Sequence, residues 1–245
     1  MVSEHLGSGI AGCRALVTGA GRGIGRAIAR ALAQRGASVL CIARTRSELD
    51  ETVLGLDGKA IAVSHDISGA GAADALVEEA MQRLGGLDIL VHCAGIFSSG
   101  SIEHTPLVEL DRLYSVNVRS PLALTKAALP MLIEARGQIV FMSSSIIRAA
   151  NVAGRGGYAA MQAALKALAD ATRDEVNDRD VRVLAVMPGT TATPRQALIF
   201  AQKGQDYRPE RLLQPDDIAQ LVCASLSLPR TAEVTDIFVR PMLKG

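Results

Sequence analysis

The feature that most constrains the fold of this chain is a glycine-rich segment, Gly19-Ala20-Gly21-Arg22-Gly23-Ile24-Gly25, directly after a short apolar run. Residues 15–18 are typical of a buried strand, and from residue 24 to residue 35 apolar side chains recur at helical spacing. Glycines at such a junction let the backbone turn tightly and approach a pyrophosphate, which the free amides and dipole of the helix N-terminus attract. A glycine cluster alone is also typical of an ordinary turn, and the strand and helix around this one favour a phosphate site.

The same alternation of strand and helix patterns continues along the chain. Apolar runs predict strands at residues 15–18, 38–42, 60–63, 87–91, 138–142, 181–186 and 237–239. Helices are predicted at residues 24–35, from 47, at 70–84, 107–117, 121–135 and 158–177, and from 215, with a loop-rich insertion at 188–214. This order predicts an α/β protein with one domain over residues 1–245: a doubly wound parallel sheet of the Rossmann type, with helices on both faces. Residues 1–12 would form an N-terminal extension.

Composition and charge limit the classes of function. Hydrophobic residues make up 49% of the chain and aromatic residues 3%, so the core must be built from aliphatic side chains, as in a buried parallel sheet. The net charge of +1, without a long basic run, argues against nucleic acid as a partner. No stretch reaches about 18 uninterrupted apolar residues, which argues against a membrane segment. The four cysteines are far apart and predict free thiols in the reducing cytoplasm, not a disulfide frame or a metal site.

The end of the second predicted strand bears on the choice of nucleotide. An acidic residue there would bind a free ribose 2′-hydroxyl, but the sequence reads Cys41-Ile42-Ala43-Arg44. Arg44 and Arg22 instead suit a 2′-phosphate, with which guanidinium groups make charge-assisted bonds. The alternative interpretation of the two arginines is that they are solvated surface residues. The missing acid and both arginines favour NADP(H) over NAD(H).

A second motif lies in the second half of the chain, at Tyr158-Ala159-Ala160-Met161-Gln162. Together with Thr18-Gly19-x3-Gly23-Ile24-Gly25, it makes the chain resemble the short-chain dehydrogenase/reductase family from residue 14 to about residue 241. That family carries Tyr-x-x-x-Lys at its active site, and here Gln162 stands at the lysine position. The resemblance implies hydride transfer between a nicotinamide and a small-molecule carbonyl or alcohol substrate.

The resemblance also implies a set of residues around the dinucleotide. Asp66, with Ile67, matches the position that holds the adenine, although an ordinary turn residue is an alternative interpretation of Asp66. His92-Cys93-Ala94-Gly95 stands where the family has Asn-Asn-Ala-Gly, so the small pair is kept and the asparagines are not. His92 is interpreted as a buried structural histidine. After the sixth strand, the family's nicotinamide loop corresponds to residues 188–193, with Pro188, Gly189, Thr191 and Thr193.

The same resemblance assigns catalytic roles. Tyr158 would be the general acid or base. One serine of Ser143-Ser144-Ser145 would polarise the substrate oxygen. Counting along the strand selects Ser144 and counting back from Tyr158 selects Ser145; we take Ser144 because strand register varies less than loop length. Asn117 matches an asparagine that kinks a helix and supports a proton relay.

Gln162 can hold the nicotinamide ribose through its amide, but it carries no charge. A cation about 4 Å from a phenolate, at an effective dielectric of about 20, contributes roughly 4 kcal/mol, or about three pKa units. Without it, Tyr158 is expected to titrate near its ordinary value and to be a better acid than base, which favours reduction. Lys166 lies about 12 Å further along the helix and is a poor replacement. Arg148 and Arg155 either turn toward the pocket, contact an acidic substrate, or are solvated loop residues.

By resemblance, residues 190–213 form a substrate lid that combines an apolar stretch with Lys203, Arg208 and Arg211. The apolar part suits a hydrophobic substrate, and the charges either meet a phosphate or carboxylate or are solvated. Small residues on the helices at 121–135 and 158–177 imply a homodimer or homotetramer. The leading hypothesis is an NADPH-dependent carbonyl reductase. The alternatives are a nucleotide-binding or partner subunit with impaired chemistry, and a repurposed enzyme that uses Tyr158 without net redox change.

Overall fold

Within residues 9–243, the part of the chain that this computed structural model describes, seven strands pair in one parallel sheet of order β3-β2-β1-β4-β5-β6-β7. The strands are β1 Arg14–Thr18, β2 Ser38–Ala43, β3 Ala60–Ser64, β4 Ile89–His92, β5 Gln138–Met142, β6 Arg182–Pro188 and β7 Asp236–Val239. The α/β class and the doubly wound parallel sheet are confirmed.

The helices lie between these strands. They are α1 Gly23–Gln34, α2 Arg46–Val53, α3 Ala72–Leu84, α4 Leu107–Tyr114, α5 Ser120–Glu134, α6 Gly156–Val176, α7 Pro194–Gln202 and α8 Pro215–Leu226. A π-helical turn, Ser115–Arg119, joins α4 to α5, and 3-10 turns lie at Ser145–Arg148, Asn177–Arg179 and Pro209–Arg211. No helix in the described part of the chain is long and apolar enough to cross a membrane.

Two apolar cores lie on opposite faces of the sheet, because successive residues of a strand point to opposite sides. Val17 of β1 faces the core that includes Ile28 of α1 and Val222 of α8. Its neighbour Leu16 faces the core that includes Leu76 of α3 and Leu165 of α6. Helices cover both faces, so the strands are buried on both sides, which explains why the sequence shows aliphatic runs with few aromatic residues.

The insertion predicted as loop-rich contains a helix, so that prediction was wrong in part. Thr193 begins α7 as its N-cap, and its hydroxyl accepts a hydrogen bond from the amide of Gln196 at 3.2 Å. Pro194 occupies the first helical position, where a missing N–H costs nothing. Of the predicted N-terminal extension, residues 1–8 lie outside the described residues.

The chain order creates a crevice at the carboxyl ends of β1 and β4. From β1 the sheet grows through β2 to β3 on one side and from β4 to β7 on the other, so the connections leave a gap between the two halves. The backbones close in at this point: a Cβ on Gly19 would lie 2.7 Å from backbone atoms of Ala94. The sequence pattern therefore places the glycine turn of β1 and the Ala-Gly pair of β4 at one switch point.

Candidate active site

A single cavity of about 450 Å³ follows the carboxyl ends of the strands, and every residue predicted for the site lines it. These residues are Gly19, Gly21, Arg22, Gly23, Ile24, Gly25, Arg44, Asp66, Ile67, Cys93, Ala94, Gly95, Asn117, Ser144, Tyr158, Gln162, Pro188, Gly189, Thr191 and Thr193. The predicted Ser145 alternative lines the same cavity. Residues separated by more than 170 positions in sequence are thus brought to one cleft.

The glycine turn is packed too closely for side chains. Gly19 has a φ of 70°, and a Cβ on Gly25 would lie 2.2 Å from the carbonyl oxygen of Gly19. The N-cap of α1, Arg22, is extended and makes no side-chain cap, so no side chain of the cap covers the first amides of the helix. These amides and the helix dipole form a suitable site for a phosphate.

Thr18, the last residue of β1, holds the end of β1 against the end of β4 through its side chain. Its hydroxyl donates to the carbonyl oxygen of Val91 at 3.2 Å. The hydroxyl oxygen of Thr18 in turn accepts hydrogen bonds from the amides of Cys93 and Ala94, at 3.1 and 3.2 Å. Burial raises the pKa of the Cys93 thiol to about 12, so the thiol stays protonated beside the crevice.

His92 is buried and paired, in keeping with the structural interpretation. Its Nε2 lies 2.8 Å from the hydroxyl of Thr125, and its ring stacks on Phe141 with centroids 4.8 Å apart. Burial lowers the pKa of His92 to about 3, which keeps the imidazole neutral. It is therefore neither a cation nor a base near neutral pH.

One end of the cavity lies at the carboxyl ends of β2 and β3, and charged side chains line it. Arg22 forms an ion pair with Glu48 of α2 at 3.3 Å. Arg44 also lines this end, and no acidic residue follows β2 directly. Asp66 accepts hydrogen bonds from the amide and the hydroxyl of Ser68, at 3.0 and 2.7 Å, which lower its pKa. Asp66 therefore makes the contacts of an ordinary turn residue, which was the alternative interpretation, and it also lines the cavity.

Sequence reasoning missed Glu48, which it used only as part of a helix start. In the structure, a Cβ on Gly21 would lie 3.0 Å from a carboxylate oxygen of Glu48. The carboxylate thus lies beside the glycine turn and offsets the charge of Arg22. The helix start after β2 was the available signal, since parallel strands bring such starts to the edge where ligands bind.

Tyr158 and Ser144 lie together in the middle of the cavity. Both side chains line the cavity, and the Ser144 hydroxyl is close enough to lower the pKa of Tyr158. The ring of Phe97 meets the Tyr158 ring edge-on with centroids 5.1 Å apart. Burial is the main influence on Tyr158 and raises its pKa above the ordinary value, while the charge of Arg195 and the nearby Ser144 hydroxyl partly lower the pKa. The neighbouring Ser143 is used for structure, because its hydroxyl donates to the backbone oxygen of Gln162 at 3.0 Å.

Asn117 lies in the π-helical turn and is buried. Its side chain pairs with the backbone of Ile96: Oδ1 accepts from the amide at 2.8 Å and Nδ2 donates to the carbonyl oxygen at 3.0 Å. Asn117 therefore fixes the segment after β4, and the helix irregularity predicted at this position is present.

Gln162 lies one helical turn after Tyr158 and is 4% exposed. Its Oε1 is buried and has no hydrogen-bond partner among the described residues, although the side chain lines the cavity. A buried acceptor without a donor is uncommon and marks a place where a ligand hydroxyl or amide fits.

Four basic side chains near Tyr158 have different surroundings. Lys166 pairs with Asp170 and Asp236 at 2.6 and 3.1 Å, in agreement with its dismissal as a replacement cation. Arg148 lies over the ring of Phe238 at 4.8 Å. The other two, Arg155 and Arg195, line the cavity.

Arg195 is the functional candidate that sequence reasoning did not find. It lies in the first turn of α7, and its Nη2 donates to the carbonyl oxygen of Gly95 on the opposite side of the cleft. It is also the side chain whose charge lowers the pKa of Tyr158 most. The Thr193-Pro194 pair was the available signal, because it is typical of a helix start.

A family model described as short chain dehydrogenase matches residues 14–204 of the chain. The chain belongs to the short-chain dehydrogenase family of oxidoreductases. An uncharacterized oxidoreductase of Staphylococcus epidermidis is 30% identical to this short-chain dehydrogenase over 234 residues, 93% of this chain and 96% of that protein.

Solved structures of short-chain dehydrogenases have the same fold. A short chain dehydrogenase from Burkholderia cenocepacia in complex with NADP is 34% identical, with a TM-score of 0.82, and the match covers 93% of this chain and 96% of that one. A 3-ketoacyl-(acyl-carrier-protein) reductase from Brucella melitensis complexed with NADH is 28% identical, also with a TM-score of 0.82, over 93% and 96% of the two chains. Relatives of this short-chain dehydrogenase have thus been crystallised with either dinucleotide.

Proposed function

We propose that this short-chain dehydrogenase is an NADPH-dependent reductase that converts a small carbonyl compound to the alcohol. The observation that carries the proposal is that Tyr158 and Ser144, which is close enough to influence the pKa of the tyrosine, line one cavity with the glycine turn. When bound, NADPH supplies a hydride to the carbonyl carbon. The hydroxyl of Ser144 donates to the carbonyl oxygen, and Tyr158 gives its proton to that oxygen as the alcohol forms, so one hydride and one proton complete the reduction.

The residues of the cleft fit a dinucleotide. A Cβ on Gly19 or Gly25 would collide with the backbone, so the turn leaves room only for a close ligand such as the pyrophosphate. The unpartnered Oε1 of Gln162 is placed to accept a hydrogen bond from a ribose hydroxyl. Arg22 and Arg44 would hold the 2′-phosphate that distinguishes NADPH, although the pairing of Arg22 with Glu48 reduces the positive charge there.

The reaction is expected to favour reduction because Tyr158 is neutral near pH 7. Burial raises the pKa of Tyr158, and Gln162 stands where the family carries lysine, so no ammonium group stabilises the phenolate from that position. A neutral phenol gives up a proton readily to a forming alkoxide but is a weak base. Residues 190–213 would close over the substrate, since Arg195, Gln196 and Ile199 of α7 line the cavity.

We also propose that the chain acts in the cytoplasm as a homodimer or homotetramer through α5 and α6. Free thiols suit a reducing compartment. Leu122 of α5 is 44% exposed, and Leu107 and Val108 of the adjoining α4 are 77% and 69% exposed, which leaves apolar area for a partner copy. Light scattering on purified protein measures the oligomeric state, and a monomer would contradict this part.

The test of the reaction compares wild type, Tyr158→Phe and Gln162→Lys for ketone-dependent NADPH oxidation at neutral pH. Wild-type turnover that falls by at least a hundredfold in Tyr158→Phe supports the reductase. A silent wild type that gains activity in Gln162→Lys would instead support a nucleotide-binding subunit with impaired chemistry, which the uncharged Gln162 favours. Silence in both wild type and Gln162→Lys would remove the reductase proposal.

A further inference from the structure

The charged side chains of the cavity are divided between its two ends. Its only carboxylates among the described residues, Glu48 and Asp66, lie at the ends of β2 and β3, where the adenosine half of a dinucleotide would bind. The other end lies around Tyr158 and is named here the substrate end. Apart from the two carboxylates, and Arg22 and Arg44 beside them, the charged side chains that line the cavity are Arg155, Arg195 and Lys203, all of them cations.

No acidic side chain in the described part of the chain neutralises these three cations. Within residues 9–243, none of the three forms an ion pair with a carboxylate. Arg155 donates one bond to the carbonyl oxygen of Asn151 at 2.8 Å, and Arg195 donates one to that of Gly95. Since a guanidinium has five N–H donors, most of the donors of each arginine stay available to a ligand.

The position of two of these cations is set by one helix. Arg195, Ile199 and Lys203 follow each other at intervals of four along α7 and its C-cap, so they share one face, and all three line the cavity. Lys203 lies about 12 Å from Arg195 along the axis, at 1.5 Å per residue. Arg195 acts electrostatically on Tyr158, which places it near the hydroxyl that would meet the carbonyl oxygen.

A cleft lined by one sign of charge concentrates ligands of the opposite sign. A neutral ketone would leave the three cations without a partner, whereas a carboxylate gives Arg195 a bidentate, charge-assisted contact. We propose that the substrate of this reductase is a short keto acid, whose carboxylate binds Arg195 while its carbonyl group meets Tyr158 and Ser144. The inference that the substrate has a carbonyl group rests on the proposed function. The inference that it has a carboxylate rests on the cations of the cavity.

The experiment uses keto acids paired with their methyl esters: pyruvate, acetoacetate and levulinate. The quantity measured is the ratio of kcat/KM for the acid to that for its ester. We expect a ratio of ten or more for at least one pair in wild type. In Arg195→Met the ratio should fall at least tenfold, because the ester has no carboxylate for the arginine to bind. Arg195→Lys should keep part of the preference.

Arg208→Met is the matched control. Arg208 belongs to the same insertion as Arg195, but it pairs with Asp206 outside the cavity. Its ratio should equal that of wild type. Equal use of acid and ester by wild type, or an unchanged ratio in Arg195→Met, would overturn the proposal. Turnover of the esters alone would leave the reductase standing and remove the keto acid.

Calorimetric titration separates the two proposals when no turnover is seen. Acetoacetate and methyl acetoacetate are titrated into the protein with NADP⁺ present. Binding of the acid that is weakened at least tenfold in Arg195→Met, without turnover, supports the anion site and removes the reductase. Binding of neither ligand overturns the anion site.

Discussion

The guanidinium of Arg195 and the carbonyl oxygen of Gly95 meet across the cleft, 100 residues apart in sequence. This hydrogen bond joins the first turn of α7 to the end of β4, beside the ring of Phe97 that packs on Tyr158. A segment of the insertion predicted as loop-rich thereby brings a permanent positive charge close to Tyr158.

Removal of that charge is expected to raise the pKa of Tyr158. Arg195→Met should shift the pKa upward, because a nearby cation favours the phenolate. The shift is measured by NMR of ¹³Cζ-labelled tyrosine in the Gln162→Lys background, where the added ammonium should lower the pKa into a convenient range. The chain has three tyrosines, and Tyr158→Phe assigns the signal. Equal values with and without Arg195 would contradict the prediction.

The pH dependence of alcohol oxidation follows from the raised pKa of Tyr158. Oxidation needs the phenolate as base, and below the pKa the phenolate fraction rises tenfold per pH unit. The kcat/KM for oxidation should therefore rise steadily through pH 9 without levelling, and Gln162→Lys should move the plateau down by as much as about three units. A profile already flat at pH 7 in wild type would argue against Tyr158 as the base.

Gln162→Met should stabilise the free protein and weaken nucleotide binding. The buried, unpartnered Oε1 costs about 1 kcal/mol, which an apolar side chain of similar length avoids. We expect a higher melting temperature without nucleotide and a smaller increase on adding NADPH, both measured by differential scanning calorimetry. A lower melting temperature without nucleotide would mean that the amide is satisfied in the folded protein.

Glu48→Gln should improve NADPH binding by about two- to fivefold, because Arg22 loses its partner and becomes available to the 2′-phosphate. NADH has no such phosphate and should bind without this gain. Arg44→Met provides the opposite change and should weaken NADPH more than NADH. Dissociation constants from NAD(P)H fluorescence measure both variants, and an equal response of NADH and NADPH would remove the 2′-phosphate from this end of the cleft.

Gly25→Ala should destabilise the fold by about 1–3 kcal/mol and abolish tight nucleotide binding, because its Cβ would lie 2.2 Å from the Gly19 carbonyl oxygen. Urea denaturation measures the change in the free energy of unfolding. Gly9→Ala is the matched control, since a Cβ there meets no atom within 4 Å. Equal stability of the two variants would show that the turn has room to adjust.

Local patterns determined the elements and the predicted site residues. Residues 15–25 predicted β1, the glycine turn and α1, since apolar spacing and glycine act within a few residues. The interval of four between Tyr158 and Gln162 placed both on one face of α6, and both line the cavity. Parallel strands bring their carboxyl ends to one edge of the sheet. Site residues that were predicted separately, each at the end of its own strand, therefore meet in one cavity.

Only the tertiary structure decided which charges surround the tyrosine and the phosphate turn. Arg195 reaches Gly95, and Glu48 reaches Arg22, through contacts between segments that are distant in sequence. Propensity and periodicity do not specify such contacts, because the direction of a long side chain depends on how its helix packs. The sequence by itself determined the sheet, the glycine turn and the Tyr158–Gln162 pair; the packing of α2 and α7 decided the electrostatics of the cleft.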